Sequence, residues 1–253
     1  MTLSLRTPIC VLVCVALVAV AGGCGGQPVE QVRVLQIDPA AFTTRAGAAP
    51  APRAAGAVRA SLTAVTARTA PPPMRVPQVG SIAAGRPNDG RLVNGLQLPE
   101  TGPDWVTWDA PLRRSPNRPD RRWATDRMLS VLIGVLHDYR LANPGAPPVL
   151  VGDLSRPWGG WFGSQFGGLG HASHQNGLDV DVVYPRADRA LAPPALAEVD
   201  RALAQDLVNR FVAAGAQFVF VGLNVGLGGP EGVVQAIAHH DDHLHVRIPN
   251  ALR

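Results

Sequence analysis

Two short stretches that alternate apolar and polar residues constrain the fold of this chain most strongly. Residues 178–184 and 243–248 each place a large apolar side chain at every second position. Because side chains alternate across a strand, both stretches predict half-buried β-strands. The first would carry two aspartates on its polar face, and the second would carry two histidines. If the strands are neighbours, these carboxylates and imidazoles share one face of a sheet.

The histidines of the chain gather around these two strands. Six of the seven lie within residues 171–174 and 239–245. Histidine and aspartate supply the nitrogen and oxygen ligands that zinc accepts, and three protein ligands leave a fourth position for water. All three cysteines lie in the first 24 residues, so none is available to the metal. The spacing therefore predicts a catalytic type of zinc site built on a sheet.

The remaining periodicity predicts an α+β fold, in which helices flank an antiparallel sheet that carries the zinc site on one face. Helical spacing of apolar residues predicts helices over residues 125–141 and 200–214, with Thr125 as an N-cap. Short apolar or alternating runs predict strands over residues 149–153, 178–184, 217–221 and 243–248. Strands and helices do not alternate strictly, which favours this class over a parallel βαβ architecture.

The first 23 residues have the pattern of a secretion signal. A short basic region precedes an apolar run over residues 9–21, which is too short to favour a membrane-spanning helix. Residues 21–24, Ala-Gly-Gly-Cys, resemble a bacterial lipobox. This resemblance implies cleavage before Cys24 and lipid modification of its new terminus. An ordinary signal peptide cleaved near Ala21 is the alternative.

Residues 24–80 are predicted to form a largely disordered tether. They are mostly alanine, proline, arginine, threonine and glycine, so burial cannot offset the entropy of ordering them. The tether would carry a domain of residues 81–253 outward from a membrane to which the lipid on Cys24 attaches it. The chain is thus expected to be exported, and anchored at the outer face of the cytoplasmic membrane or in the periplasm or cell wall. A disordered tail without this role is the alternative.

The charge pattern argues against a nucleic-acid partner. The net charge of +4 is small and dispersed along the chain. Nucleic-acid binding requires a concentrated basic patch, and neither a basic helix nor interleaved aromatic residues are present.

Three segments together form a specific motif. They are residues 170–175 (Gly-His-Ala-Ser-His-Gln), 178–181 (Leu-Asp-Val-Asp) and 242–245 (Asp-His-Leu-His). They resemble the penicillin-insensitive murein endopeptidases, which belong to one zinc peptidase superfamily with lysostaphin-type enzymes, D-Ala-D-Ala carboxypeptidases and the hedgehog N-domain. Upstream similarity, including residues 152–155 (Gly-Asp-Leu-Ser), extends the resemblance over roughly residues 81–249.

The resemblance implies that three residues bind zinc: His174, Asp181 and His245. Zinc lowers the pKa of its bound water to about 7 and polarises a scissile carbonyl. Asp179 could orient a histidine ligand from behind, or be an ordinary solvated strand residue. Both readings of Asp179 stay open at this point.

The resemblance also implies catalytic roles for three further histidines. His243 would not bind the metal and would act on the water or on the developing oxyanion. His240 and His171 would line the site, with His171 as a candidate extra ligand. The chain lacks the additional histidine pair that some family members carry between the two clusters, which argues against a second metal site.

The function that the resemblance implies is a zinc-dependent peptidoglycan endopeptidase. It would cut D-Ala–diaminopimelate cross-links between peptide stems and would be insensitive to β-lactams, because activated water replaces a serine nucleophile. One alternative is another wall specificity, such as a carboxypeptidase or another muropeptide amidase. The other alternative is a non-catalytic, zinc-stabilised binding module.

Overall fold

The computed structural model describes residues 71–250. The predicted signal peptide, Cys24 and residues 24–70 of the predicted tether lie outside this range, so those expectations stay predictions. The described residues form two α-helices, α1 (Asp126–Ala142) and α2 (Arg201–Ala213). They also form the strands β1 (Ile82–Arg86), β2 (Asp89–Val93), β3 (Leu96–Gln97), β4 (Trp105–Thr107), β5 (Trp123–Ala124), β6 (Val149–Val151), β7 (Phe162–Gly163), β8 (Gly170–His171), β9 (Asp179–Val183), β10 (Phe218–Gly222), β11 (Val234–Ile237) and β12 (His243–Arg247).

Both helices begin at side-chain caps that the sequence supplies. The Thr125 hydroxyl accepts a hydrogen bond from the backbone N–H of Met128, which confirms the predicted N-cap of α1. At α2, the Asp200 carboxylate accepts from the N–H of Leu203. Each cap satisfies one of the backbone N–H groups that the first turn of a helix leaves unpaired.

The main sheet has six strands in the order β11-β10-β12-β9-β6-β4. The pairs β10–β12, β12–β9 and β9–β6 are antiparallel, as predicted. The outermost pairs, β10–β11 and β4–β6, are parallel, so the sheet is mixed and the prediction of an antiparallel sheet is correct only for its centre. For β4 and β6 the reason is the connection: the chain passes from one to the other through α1, and such a crossover returns it in the same direction.

The hydrophobic core lies on one face of this sheet. Val180 and Val182 of β9 and Leu244 and Val246 of β12 are fully buried. They belong to one apolar cluster that includes residues of both helices. Apolar burial of this kind supplies the main favourable free energy of folding. The helices therefore cover one face of the β9–β12 pair.

Besides the main sheet, the described residues form three two-stranded sheets: β1–β2, β3–β5 and β7–β8. The β7–β8 pair places Phe162 opposite His171, and this hairpin brings the histidine to the face of the main sheet that carries Asp181. Among residues 71–250, neither helix combines the length and apolar character needed to cross a membrane.

Candidate metal centre

The strands β9 and β12 are antiparallel neighbours whose register brings the predicted residues together. His245 lies opposite Asp181, and Arg247 lies opposite Asp179. Because these positions alternate with the buried valines and leucine, both carboxylates share the second face of the sheet with His243 and His245. The sequence prediction that one polar face carries these four side chains is confirmed.

His174 reaches this face from the loop that precedes β9. Its backbone φ is +65°, in the left-handed region that non-glycine residues rarely adopt. The Ser155 hydroxyl donates to the His174 carbonyl at 2.6 Å and helps to hold the turn. The ring is completely buried, and Nδ1 donates to the carbonyl of Leu154 at 2.5 Å. This bond directs Nε2 toward Asp181. Strained backbone of this kind concentrates at functional sites.

Two facing atoms at the centre of the site have no hydrogen-bond partner among residues 71–250. His174 Nε2 and Asp181 Oδ1 are both buried and lie 3.3 Å apart without hydrogen-bond geometry. Leaving buried polar atoms unpaired costs about 1–3 kcal/mol each. A cation bound between a lone pair of the imidazole and the carboxylate would satisfy both. The orphaned pair is therefore the feature that indicates a metal.

His245 presents its other nitrogen to the same carboxylate. Nε2 donates to Asp179 Oδ1 at 2.8 Å, and Nδ1 lies 3.6 Å from Asp181 Oδ1. Asp179 is buried and also accepts from Arg247 Nε at 2.7 Å. Of the two readings of Asp179, the structure thus supports the one in which it orients a histidine. A carboxylate behind the imidazole is a common support for metal ligands.

The spacing of these donors fits zinc. Ligand atoms at the usual zinc distances lie about 3.4 Å apart around a tetrahedral ion. The 3.3 Å and 3.6 Å separations of the two imidazole nitrogens from Asp181 Oδ1 are close to this value. In addition, His171, His174 and Asp181 each offer a donor atom, and these three atoms all lie within 4.8 Å of one another. The residues present can hold a divalent cation.

The three histidines with predicted catalytic roles surround this group. His171 Nδ1 lies 3.7 Å from Asp181 Oδ2, and His243 Nε2 lies 3.8 Å from Asp181 Oδ1. The His240 ring centroid lies 4.8 Å from that of His243 and 6.0 Å from that of His245. Together with His174, which lies beneath them, the structure brings all six predicted site residues to one place.

The site opens into a cavity of about 720 Å³. His171, Asp181, His240, His243 and His245 line it. A cavity of this size can take a peptide segment or another small ligand. Trp108 lines the cavity, whereas Trp158 and Trp161, which are 78% and 61% exposed, are not among its lining residues.

Burial and nearby charges shift the pKa values of the two central imidazoles in opposite directions. Burial opposes protonation of His174, but the Asp181 carboxylate outweighs it and raises the pKa of His174 to about 9. Burial lowers the pKa of His245 to about 4, against the opposing effect of Asp179. Neutral imidazole is the form that binds metal, so His245 is ready for a cation, whereas a cation at His174 competes with a proton.

His243 has a carboxylate partner of its own. Its Nδ1 lies 2.7 Å from Asp242 Oδ1, which leaves Nε2 directed toward the site. Burial disfavours protonation of His243, but Asp181 and Asp242 together raise its pKa. Asp241, by contrast, accepts hydrogen bonds from Asn224 and contacts no imidazole in this way. Of the two adjacent aspartates, only Asp242 holds a site histidine.

Sequence reasoning missed three buried residues behind the site: Asp153, Arg121 and Asn117. Asp153 lay within the upstream similarity, as the last residue of a predicted strand, but no role was assigned to it. Arg121 and Asn117 lie outside any periodic element, in the segment before β5. Their partners are distant in the chain, so nothing local in the sequence marks them.

Sequence similarity relates this chain to a known protein family. A sequence model of the family described as penicillin-insensitive murein endopeptidase matches residues 83–212, about half of the chain. The matched region includes His171, His174 and Asp181 and ends before β12. The curated relatives include proteins with this same name from Escherichia coli and Klebsiella pneumoniae.

The similarity to individual relatives is moderate. The protein of E. coli O157:H7 (strain EC4115) is 31% identical over 144 residues, which are 56% of this chain and 44% of the relative. That of E. coli strain SE11 is 32% identical over 114 residues, 45% of this chain and 35% of the relative. That of K. pneumoniae is 33% identical over 95 residues, 38% and 30%. The chain thus spans less than half the length of each of these relatives.

Proposed function

The chain belongs to the penicillin-insensitive murein endopeptidase family, and from that premise we propose that it is a zinc-dependent endopeptidase of peptidoglycan. Its substrate would be the peptide stems of the wall, cut at D-Ala–diaminopimelate cross-links. The observation that carries the metal part of the proposal is the orphaned pair of His174 Nε2 and Asp181 Oδ1. The substrate part rests on the family.

Three residues would hold the zinc: His174 through Nε2, Asp181 through its carboxylate and His245 through Nδ1. When bound, zinc supplies Lewis-acid polarisation of a carbonyl and lowers the pKa of water to about 7. The hydrogen bonds to Leu154 and Asp179 fix which nitrogen each imidazole presents. Oriented supports of this kind typically matter 10–100-fold in metal affinity or activity.

His243 is the residue best placed to move a proton. Asp242 fixes its Nδ1, so Nε2 faces the Asp181 carboxylate and the cavity. An imidazole in this position can accept a proton from an attacking water and return it to the leaving amine. His240, beside it, and His171, on the opposite hairpin, line the space that a peptide would occupy.

The expected location follows from the parts of the chain outside residues 71–250. We propose that residues 1–23 are a lipoprotein signal peptide, that lipid on Cys24 anchors the protein, and that residues 24–80 act as a tether for a peptidase domain of residues 81–253. The substrate supports this placement, because peptidoglycan lies outside the cytoplasmic membrane.

The direct test is hydrolysis of purified muropeptide dimers by the zinc-loaded protein, with and without a chelator. Conversion to monomers that stops on chelation and returns with zinc is expected. Product masses identify the bond and separate an endopeptidase from a carboxypeptidase or another amidase specificity. Absence of any conversion by zinc-loaded protein would contradict the proposal.

A pair of variants distinguishes an enzyme from a non-catalytic zinc-binding module. His243→Ala should abolish most activity and leave zinc bound, whereas His245→Ala should lose both. If His243→Ala leaves all measured functions intact while zinc stabilises the fold, the binding module is the better account.

A further inference from the structure

A buried chain of charged groups runs behind the site from Arg121 to His171. The Asp153 carboxylate is 4% exposed and receives hydrogen bonds from three residues. Arg121 Nε donates to Oδ1 at 2.7 Å and its Nη2 donates to Oδ2, while Asn117 Nδ2 donates to Oδ1 at 2.9 Å. His171 Nε2 lies 2.7 Å from Oδ2. Charge-assisted, two-point contacts of this kind fix geometry strongly.

Arg121 also fastens the hairpin that carries His171. Its guanidinium lies 4.7 Å from the centroid of the Phe162 ring, and Nη1 donates to the carbonyl of Phe166 at 2.6 Å. Phe162 pairs with His171 across β7–β8, and their ring centroids are 4.9 Å apart. One buried arginine therefore holds both the backbone around His171 and the carboxylate on its ring.

These contacts leave His171 a single ring orientation and a single assignment of its nitrogens. Because a carboxylate only accepts, the nitrogen that faces Asp153 must carry the proton. In the neutral ring Nδ1 is then the lone-pair nitrogen, and it lies 3.7 Å from Asp181 Oδ2. His245 is arranged in the same way: its Nε2 donates to Asp179, and its Nδ1 faces Asp181.

A second arginine–carboxylate pair, Arg118 and Asp109, binds the same hairpin and serves as a comparison for Arg121 and Asp153. Arg118 Nε lies 2.5 Å from Asp109 Oδ2, Asp109 is fully buried, and Arg118 Nη2 donates to the same Phe166 carbonyl at 3.1 Å. This pair fastens the hairpin but contacts no histidine. Stability alone does not require the Arg121–Asp153 pair, because apolar residues of similar volume often replace buried ion pairs without loss.

We propose that Arg121 and Asp153 are positioning residues that set the tautomer and orientation of His171, so that His171 presents Nδ1 toward Asp181 and the cation bound there. This inference rests on the proposed zinc function, and it assigns a role in that function to two further residues. Neither residue needs to touch substrate; both act through His171.

The first test compares two isosteric substitutions, Asp153→Asn and Asp109→Asn, in zinc-binding titrations against a chelator of known affinity. His171 offers a donor atom within 4.8 Å of those of His174 and Asp181, so it can contribute to holding the cation beside the three proposed ligands. Asp153→Asn should then weaken zinc binding roughly 10–100-fold, the usual effect of losing such a support. Asp109→Asn removes an equally buried carboxylate from the same hairpin anchor and should leave zinc affinity unchanged. Arg121→Lys, which keeps the charge and loses the fork, should fall between the two.

Because Asp153→Asn leaves a buried arginine poorly paired and could fail to fold, the double variant Arg121→Met with Asp153→Leu provides a second route. It removes both charges together and should fold, yet it should weaken zinc binding as Asp153→Asn does. If either folded variant binds zinc as tightly as wild type, the positioning role is wrong.

A spectroscopic measurement on the unmodified protein separates this inference from the proposed function. ¹⁵N-edited NMR of the neutral His171 ring should show the proton on Nε2, with or without zinc, and a mixture of tautomers in the Asp153 variants. The proton on Nδ1 in wild type would overturn the inference. Failure of wild type to bind zinc, with the Nε2 proton present, would instead contradict the zinc assignment and leave the positioning intact.

Discussion

The two faces of the β9–β12 pair are built from the same ten residues, yet they have opposite characters. On one face, Val180, Val182, Leu244 and Val246 are completely buried against the helices. On the other face, three imidazole nitrogens lie within 4 Å of the Asp181 carboxylate. Both faces are largely excluded from solvent. The apolar side chains pack against one another, whereas buried polar atoms of His174 and Asp181 lack hydrogen-bond partners among residues 71–250.

The sequence assigns folding and function to separate faces of the same strand pair. Alternation along a strand lets each residue contribute to one face only, so stability can be concentrated on the helix side. The polar side then costs free energy of folding, because buried atoms of His174 and Asp181 are left without hydrogen bonds among residues 71–250. Natural proteins tolerate such conflicts chiefly at functional sites. Substitutions on the two faces should therefore affect different measurements.

The largest effect is expected from His245→Ala on the polar face. Loss of a proposed ligand should reduce zinc affinity and hydrolysis of muropeptide dimers by more than the roughly 100-fold upper effect of losing a supporting residue. The matched control is His137→Ala. His137 is a buried histidine of α1, paired with Asp104 at 3.1 Å and outside the site. Equal zinc affinity in the two variants would contradict a specific role of the polar face in zinc binding.

On the apolar face, Leu244→Ala should lower the free energy of unfolding by about 2–5 kcal/mol, because it leaves a cavity in a packed core. Leu244 lies between His243 and His245 in the chain but points to the other side. At temperatures where the variant is folded, it should bind zinc with the wild-type stoichiometry. Chemical denaturation and metal analysis measure the two quantities. Loss of zinc without loss of stability would show that the faces are coupled.

A smaller effect is expected from Asp179→Asn, which weakens the support behind His245 and keeps its ring in place. Zinc affinity should fall roughly 10–100-fold. The bond from Arg247 Nε to Asp179 would weaken as well. Competition with a chelator measures the affinity, and Asp241→Asn, at a carboxylate paired with Asn224, is the control. An unchanged affinity in Asp179→Asn would mean that His245 needs no carboxylate behind it.

The smallest effect is expected from Thr125→Ala, at the start of the helix that covers the apolar face. Removal of the cap on Met128 should cost about 1 kcal/mol of stability. Zinc affinity should not change. Thermal or denaturant unfolding of both variant and wild type provides the measurement. A clear change in zinc affinity would indicate that the helix end is linked to the polar face.

The sequence predicted those elements whose periodicity is strong. Both helices were placed to within one or two residues, since apolar spacing and caps coincide at Thr125 and Asp200. The central antiparallel strands followed from alternation. The strands β1 to β5, β7, β8 and β11 were not predicted, because most are only two to four residues long and several pair with partners distant in the chain.

The site was predictable where it lies on regular strands and not where it depends on the loops. Alternation placed Asp179, Asp181, His243 and His245 on one face, and resemblance added the remaining histidines. No local pattern could reveal that Arg121 and Asn117 converge on Asp153, because 32 and 36 residues of chain separate these partners. The φ of +65° at His174 likewise depends on the packed loop around it.

Anomalous diffraction at the zinc absorption edge, from crystals of the zinc-loaded protein, tests the proposed metal centre directly. One peak is expected about 2.0–2.2 Å from His174 Nε2, Asp181 Oδ1 and His245 Nδ1. A peak bound by other residues, or no peak at saturating zinc, would contradict the proposed centre.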